Sequence, residues 1–174
     1  MIIGLAGYAR CGKDTVAQIL INNHGFERVA FADPIRDFLL KINPILDKGN
    51  RLSSLVDEYG WEIAKAQTEV RRLLQEVGVS ARELIDQDVW VNAAFDKMDD
   101  PTKNYVITDV RFENEAETIK KSGGEIWRVE RPGVTAVNGH ISESNLSSWE
   151  FDKYIHNGGT LEDLQLLVQT EMRS

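Results

Sequence analysis

A short stretch near the start of the chain, Gly7-Tyr8-Ala9-Arg10-Cys11-Gly12-Lys13-Asp14-Thr15, fits the pattern G-x-x-x-x-G-K followed by Asp-Thr. Glycines at both ends let the backbone curl so that successive N–H groups converge on phosphate oxygens, and a helix starting at the lysine adds the positive end of its dipole. Lys13 is then the ammonium that bridges the β- and γ-phosphates of a nucleotide. Gly7, Ala9, Arg10, Cys11, Gly12, Lys13, Asp14 and Thr15 are accordingly candidate phosphate-binding residues. The residue after such a lysine is usually Ser or Thr, whose hydroxyl binds Mg²⁺. Here Asp14 intervenes and Thr15 comes one later, so both stand as candidate metal ligands. Cys11 lies in this loop at a helix start, a place where reactive thiols occur, yet no histidine is near it in sequence to act as a base, and it is read as a loop residue.

A second group, Thr108-Asp109-Val110-Arg111, closes an apolar run. A phosphate loop needs a carboxylate on a neighbouring strand end to bind Mg²⁺ or one of its waters, and Asp109 answers that need. Arg111, two residues on, shares its direction, so carboxylate and guanidinium can reach one crevice.

The elements that must position these groups follow from periodicity and breakers. Ile2 to Ala6 reads as a strand, Thr15 to Asn23 as a helix and Phe26 to Phe31 as a second strand. Asp33-Pro34 supplies an N-cap and a first helical proline for a helix to about Ile42. Residues 34–98 are then mostly helical and amphipathic, with Glu62 to Val77 as one long helix and Val89 to Met98 as another, and they read as a helical insertion. Tyr105 to Ile107, Glu125 to Val129 and Phe151 to Ile155 read as further strands, and Asn114 to Lys121 as the helix between the first two of these. Thr160 opens a last helix to about Met172 with a capping-box start. Residues 131–150, rich in Gly, Ser, Asn and Pro, read as a lid-like loop. The fold class expected is α/β with three layers: about five parallel strands, helices on both faces, and a crevice at the carboxyl ends of the strands.

Composition sets bounds on this picture. The 174 residues carry 20 Lys and Arg against 28 Asp and Glu, a net charge of −8, with 42% hydrophobic residues. This fits a single domain, 1–174, with an insertion, and disfavours duplex nucleic acid as a partner. One cysteine and three scattered histidines make neither an internal disulfide nor a structural zinc site. No apolar run approaches the roughly 18 residues of a membrane helix, and residues 1–7 do not read as a secretory signal. A chain beginning at Met1, working in the cytoplasm and away from membranes, is expected; a homodimer is left open.

Gly12-Lys13-Asp14-Thr15 taken with Thr108-Asp109-Val110-Arg111-Phe112-Glu113-Asn114-Glu115 resembles the bacteriophage-type deoxynucleoside monophosphate kinases, within the larger phosphate-loop nucleoside monophosphate kinase group. Phe31-Ala32-Asp33-Pro34-Ile35-Arg36, Arg71-Arg72-Leu73-Leu74-Gln75, Asp88-Val89-Trp90-Val91, Arg131-Pro132-Gly133 and His140-Ile141-Ser142-Glu143 extend the resemblance over nearly the whole chain. It implies that ATP, with Mg²⁺, sits on the 7–15 loop and that its γ-phosphate passes to a deoxynucleoside 5′-monophosphate held by the insertion. The catalytic set implied is Lys13, Asp109, Arg111 and Arg131, with Arg128 as the weaker alternative to Arg131. Arg36 and Arg71 are implied for the acceptor phosphate, and Asp33, Gln75, Trp90 and His140 for other acceptor contacts. Asn157, in the Asn157-Gly158-Gly159 turn, is implied beside the adenine. Asp14, Thr15 and Asp109 are the candidate metal ligands. Two rival readings remain: a small kinase acting on dephospho-coenzyme A or phosphomevalonate, and a regulatory module that binds ATP without turning it over.

Overall fold

The structure is a computed structural model and describes residues 1–135, 146 and 148–173. Its contacts divide the chain into two compact units, Met1–Ala30 with Met98–Ser174, and Phe31–Lys97.

The first unit is built on a sheet of five parallel strands: β1 (Ile2–Ala6), β2 (Phe26–Val29), β3 (Asn104–Ile107), β4 (Glu125–Glu130) and β5 (Lys153–His156), in the order β2-β3-β1-β4-β5. Helix α1 (Lys13–His24) links β1 to β2. The central strand β1 is apolar throughout because both its faces are covered, whereas β2, β4 and β5 carry charged or polar residues between their buried ones. Alternation along each strand sorts its residues. Ile3 and Leu5 of β1, with Trp127 and Val129 of β4, join Val16, Leu20, Leu164 and Val168 in one buried cluster. Gly4 faces the other way, where a Cβ would lie 2.7 Å from Ile119 and 2.9 Å from Val110. The expected three-layer α/β class is therefore what the chain adopts. Each fully buried Leu, Ile or Val adds roughly 1.5–3 kcal/mol to that cohesion.

The second unit is helical: α2 (Ala32–Ile42), α3 (Leu52–Ala64), α4 (Thr68–Leu84) and α5 (Val89–Phe95). Helices α6 (Glu113–Lys121) and α7 (Leu161–Glu171) belong to the sheet unit. Leu39, Leu46, Leu52 and Val70 form the core of the helical unit, with Leu73, Leu74, Val77 and Trp61 packed against it.

Several expected boundaries shift. The single helix over 62–77 is two helices: Ala66 and Gln67 bond back to Ile63 and Ala64, three-residue spacings that tighten the chain and end α3. Ile63, expected on the apolar face, is 55% exposed. Helix α2 begins at Ala32 rather than Pro34, which is tolerated because an amide in the first turn has no partner inside the helix. Asp33 accepts a bond from Arg36, at 3.2 Å, rather than capping the helix. The second strand stops at Val29, and the last strand starts at Lys153, since the Asp152 carboxylate, not a strand carbonyl, accepts the Ile126 N–H at 2.7 Å. The final helix carries the expected capping box, with Thr160 and Asp163 bonded reciprocally. Among the described residues no helix is long and apolar enough to cross a membrane.

Candidate active site

Gly7 and Gly12 stand at φ +142° and +106°, where an L side chain is strained, and space forbids one as firmly as the dihedral. A Cβ on Gly7 would strike the Val129 carbonyl and lie 2.8 Å from Cys11 Sγ, and one on Gly12 would strike the Asn157 side-chain amide. Between them Arg10 holds φ +66°, a left-handed backbone that costs a residue with a Cβ about 1 kcal/mol or more. Gly12 is also the N-cap of α1 and has no side chain with which to cap it, so the first amides of the helix face the loop's concavity.

Lys13, the first residue of α1, folds back over its own loop. Its Nζ donates to the Gly7 carbonyl at 2.8 Å and the Tyr8 carbonyl at 2.9 Å. Burial lowers its pKa, and the nearby charges of Arg111 and Arg128 add to the effect against the pull of Cys11 and Asp14. Cys11 is buried beneath the loop, while Ala9, Arg10 and Asp14 are exposed and Thr15 half-buried. Asn157 braces the loop: its side-chain amide donates to the Cys11 carbonyl at 2.9 Å, and its backbone N–H to the Glu130 carbonyl at 2.7 Å.

Strand β3 runs next to β1, so the segment after it emerges beside the loop. Val110 N–H donates to the Leu5 carbonyl at 3.2 Å, and Asp109 is half-buried there. The amides of Arg111 and Phe112 both donate to Glu115 Oε2, at 2.7 and 3.1 Å. Glu115 is only 2% exposed. Its carboxylate, one turn into α6, folds back over the two amides as in a capping box and sets the direction in which the exposed Arg111 leaves the backbone. Arg131 is exposed just past β4 and, with Tyr8, Pro132, Val134 and Gly158, lines a depression of about 570 Å³.

The helical unit holds its own polar set. Arg36 pairs with Asp33 at 3.2 Å and lies 5.7 Å from the centre of the Trp61 ring. Arg71 and Gln75, one turn apart on α4, are exposed, whereas Arg72 is taken by Glu76 at 2.7 Å. Trp90, expected among the acceptor contacts, is 5% exposed, packs edge-on against Phe38, and donates its indole N–H to the Gly78 carbonyl at 3.0 Å, so its one polar group is engaged inside its own unit. His140 lies outside the described residues, as does most of the lid-like segment 131–150.

The sequence marks two features only weakly. Glu115 stands three residues past the helix N-cap, where a Glu is a capping signal. Arg128, the alternative to Arg131, stands in β4 between Trp127 and Val129, both buried.

Comparison with known proteins adds an independent line. The family described as deoxynucleotide monophosphate kinase matches this chain over residues 1–59 and 49–168. The deoxynucleotide monophosphate kinase of Enterobacteria phage T4 is 32% identical over 240 residues, covering 99% of this chain and 98% of the phage protein. A protein of Acanthamoeba polyphaga mimivirus is 30% identical over 182 residues, with 94% of this chain and 91% of the viral protein covered. Among solved structures, dephospho-CoA kinase from Campylobacter jejuni aligns with a TM-score of 0.49 and 15% identity, over 99% of this chain and 95% of that one.

Proposed function

The chain is a member of the deoxynucleotide monophosphate kinase family, and on that premise we propose how its residues divide the transfer of the γ-phosphoryl group of ATP to a deoxynucleoside 5′-monophosphate. The observation that carries the reading is the cradle at 7–15: two glycines whose conformation and surroundings admit no side chain, and a lysine drawn over the loop's own carbonyls. A triphosphate in the cradle accepts from the loop amides and the start of α1, and it takes Lys13 from the Gly7 and Tyr8 carbonyls.

Phosphoryl transfer needs alignment and charge neutralisation more than covalent help. Lys13 bridges the β- and γ-phosphates. Arg111, aimed by Glu115, meets the transferring group, and Arg131 closes over the phosphates as the lid arginine. Asn157 holds the loop shut from below, and the adenine is assigned to the depression beside Tyr8 and Gly158. Asp14, Thr15 and Asp109 offer only hard oxygen donors, which suits a Mg²⁺ carried in by the nucleotide. Thr15 and Asp109, both half-buried, are the better pair. When bound, that ion would supply further neutralisation of the phosphate charge.

In the helical unit, Arg36 and Arg71 are assigned to the acceptor phosphate because a guanidinium binds phosphate through two parallel bonds and so fixes its orientation. Asp33 and Gln75 are assigned to the sugar and base. The setting proposed is the cytoplasm, that of the host where a phage encodes the protein.

The test is a coupled assay of ADP formation by the purified protein with ATP and each common deoxy- and ribonucleoside monophosphate, with dephospho-coenzyme A alongside. ADP release that depends on a deoxynucleoside monophosphate is expected. Release with dephospho-coenzyme A alone, or ATP binding with no turnover, overturns the reading. Within the same assay, Arg71→Ala raises the acceptor KM about 10- to 100-fold and leaves kcat within a few-fold, the loss expected when one charged ground-state contact is removed. An unchanged acceptor KM removes Arg71 from the site.

A further inference from the structure

Arg128 is the fourth residue of β4 and stands in register with Ala6, the last residue of β1, directly before the phosphate loop opens. Its side chain is 13% exposed. The guanidinium lies 4.8 Å from the centre of the Tyr8 ring and 5.3 Å from that of Phe151. Its one carboxylate contact among the described residues is with Glu130, 3.7 Å from Nε, too long for a hydrogen bond. That carboxylate also lies 3.5 Å from His156 Nδ1.

A guanidinium withdrawn from water carries five donors and a charge that must be compensated. Aromatic rings compensate part of it, and they do so through its faces. The N–H groups point outward in the plane, along the edge, so stacking leaves them available. Among the described residues the one carboxylate near that edge is Glu130, beyond hydrogen-bond distance. Lys13 is close enough to feel both Arg128 and Arg111, which help hold its pKa down, so three cations gather at the mouth of one loop. Like charges crowded this way are stabilised by an anion brought among them.

We propose that Arg128 is a further ligand of the donor phosphates, its guanidinium held on the Tyr8 and Phe151 rings so that its N–H edge engages an oxygen of the triphosphate cradled by residues 7–15. The inference rests on the kinase reading for the identity of the anion. It makes Tyr8 more than loop filler: the Tyr8 carbonyl holds Lys13 while its ring aims Arg128. It also gives a task to Phe151, which lies just before β5.

The experiment is calorimetric titration of the full-length protein with ATP and, separately, with inorganic tripolyphosphate, which has no base or sugar. Arg128→Met should raise the Kd of both about 10- to 100-fold, the fold-change of one lost charge-assisted contact. Arg128→Lys, which keeps the charge but not the plane, should lose clearly less. Thermal melting of the unliganded variants is measured in parallel. Tripolyphosphate and ATP affinities unchanged in Arg128→Met overturn the proposal. So does an equal loss in the Lys and Met variants that tracks an equal fall in melting temperature, since that is the mark of a structural clamp. Phe151→Leu guards against a folding failure at position 128: it leaves the guanidinium in place and removes one supporting ring. A 3- to 10-fold rise in ATP Kd supports the proposal, and no change counts against it. Because binding is read without an acceptor, a wild-type protein that binds tripolyphosphate yet phosphorylates no deoxynucleotide would sink the kinase reading while leaving the assignment of Arg128 measurable.

Discussion

Lys13→Met is expected to lower kcat for phosphoryl transfer by about two to four orders of magnitude, as when a charge aimed at a developing anion is lost from a water-poor site. Methionine keeps most of the aliphatic stem, so the packing of α1 against the loop survives. Stability should move the other way or hardly at all. The two bonds from Nζ to Gly7 and Tyr8 are lost, but so is the cost of holding a buried charge. The sign follows from the lowered pKa: a lysine whose folded pKa lies below its unfolded one is penalised while charged, and that penalty fades only as pH rises through the folded value toward the unfolded one. At neutral pH the wild type bears it in full, and the methionine variant does not. Single-turnover rates and thermal melts at neutral pH check both halves. Near-normal turnover would remove Lys13 from the chemistry, and a collapse in melting temperature would show that the lysine serves the loop rather than the phosphate.

Lys13 also shows what kind of information a sequence carries openly. The cradle is largely local: its glycines and its lysine lie between positions 7 and 15, and glycine spacing states the backbone conformation almost directly, while the bracing by Asn157 and the Val129 carbonyl is tertiary. The parallel sheet was equally legible, because strands alternate with helices along the chain and each crossover returns the next strand in the same direction. What stayed hidden depended on register and on tertiary competition. Nothing near Arg128 in the chain announces that Ala6 is its neighbour, or that the rings of Tyr8 and Phe151 meet over it. Trp90 belongs to a motif, and only the position of the Gly78 carbonyl discloses that its N–H is already used. The break between α3 and α4 escaped notice because apolar spacing continues across it while the backbone tightens at Ala66 and Gln67.

Arg111→Ala is the second large effect: a fall in kcat of about two to three orders of magnitude, with the KM for ATP within a few-fold of wild type. The contrast with Arg71 is deliberate. An arginine that binds an acceptor in its ground state affects KM, whereas one that meets charge only as the phosphoryl group moves lowers kcat and kcat/KM together. Arg111 fits the second description because Glu115 fixes the amides of Arg111 and Phe112, while Arg111 itself is exposed. Arg111→Lys should recover little of the loss, since an ammonium cannot reproduce two parallel bonds to one phosphoryl group. Pre-steady-state rates with saturating ATP and acceptor decide the matter. If Arg111→Ala raises KM for either nucleotide in proportion to its loss of kcat/KM and leaves the chemical step intact, the residue is a binding group, and charge on the moving phosphoryl group must then be met by Lys13 and the arginines of β4 and the lid.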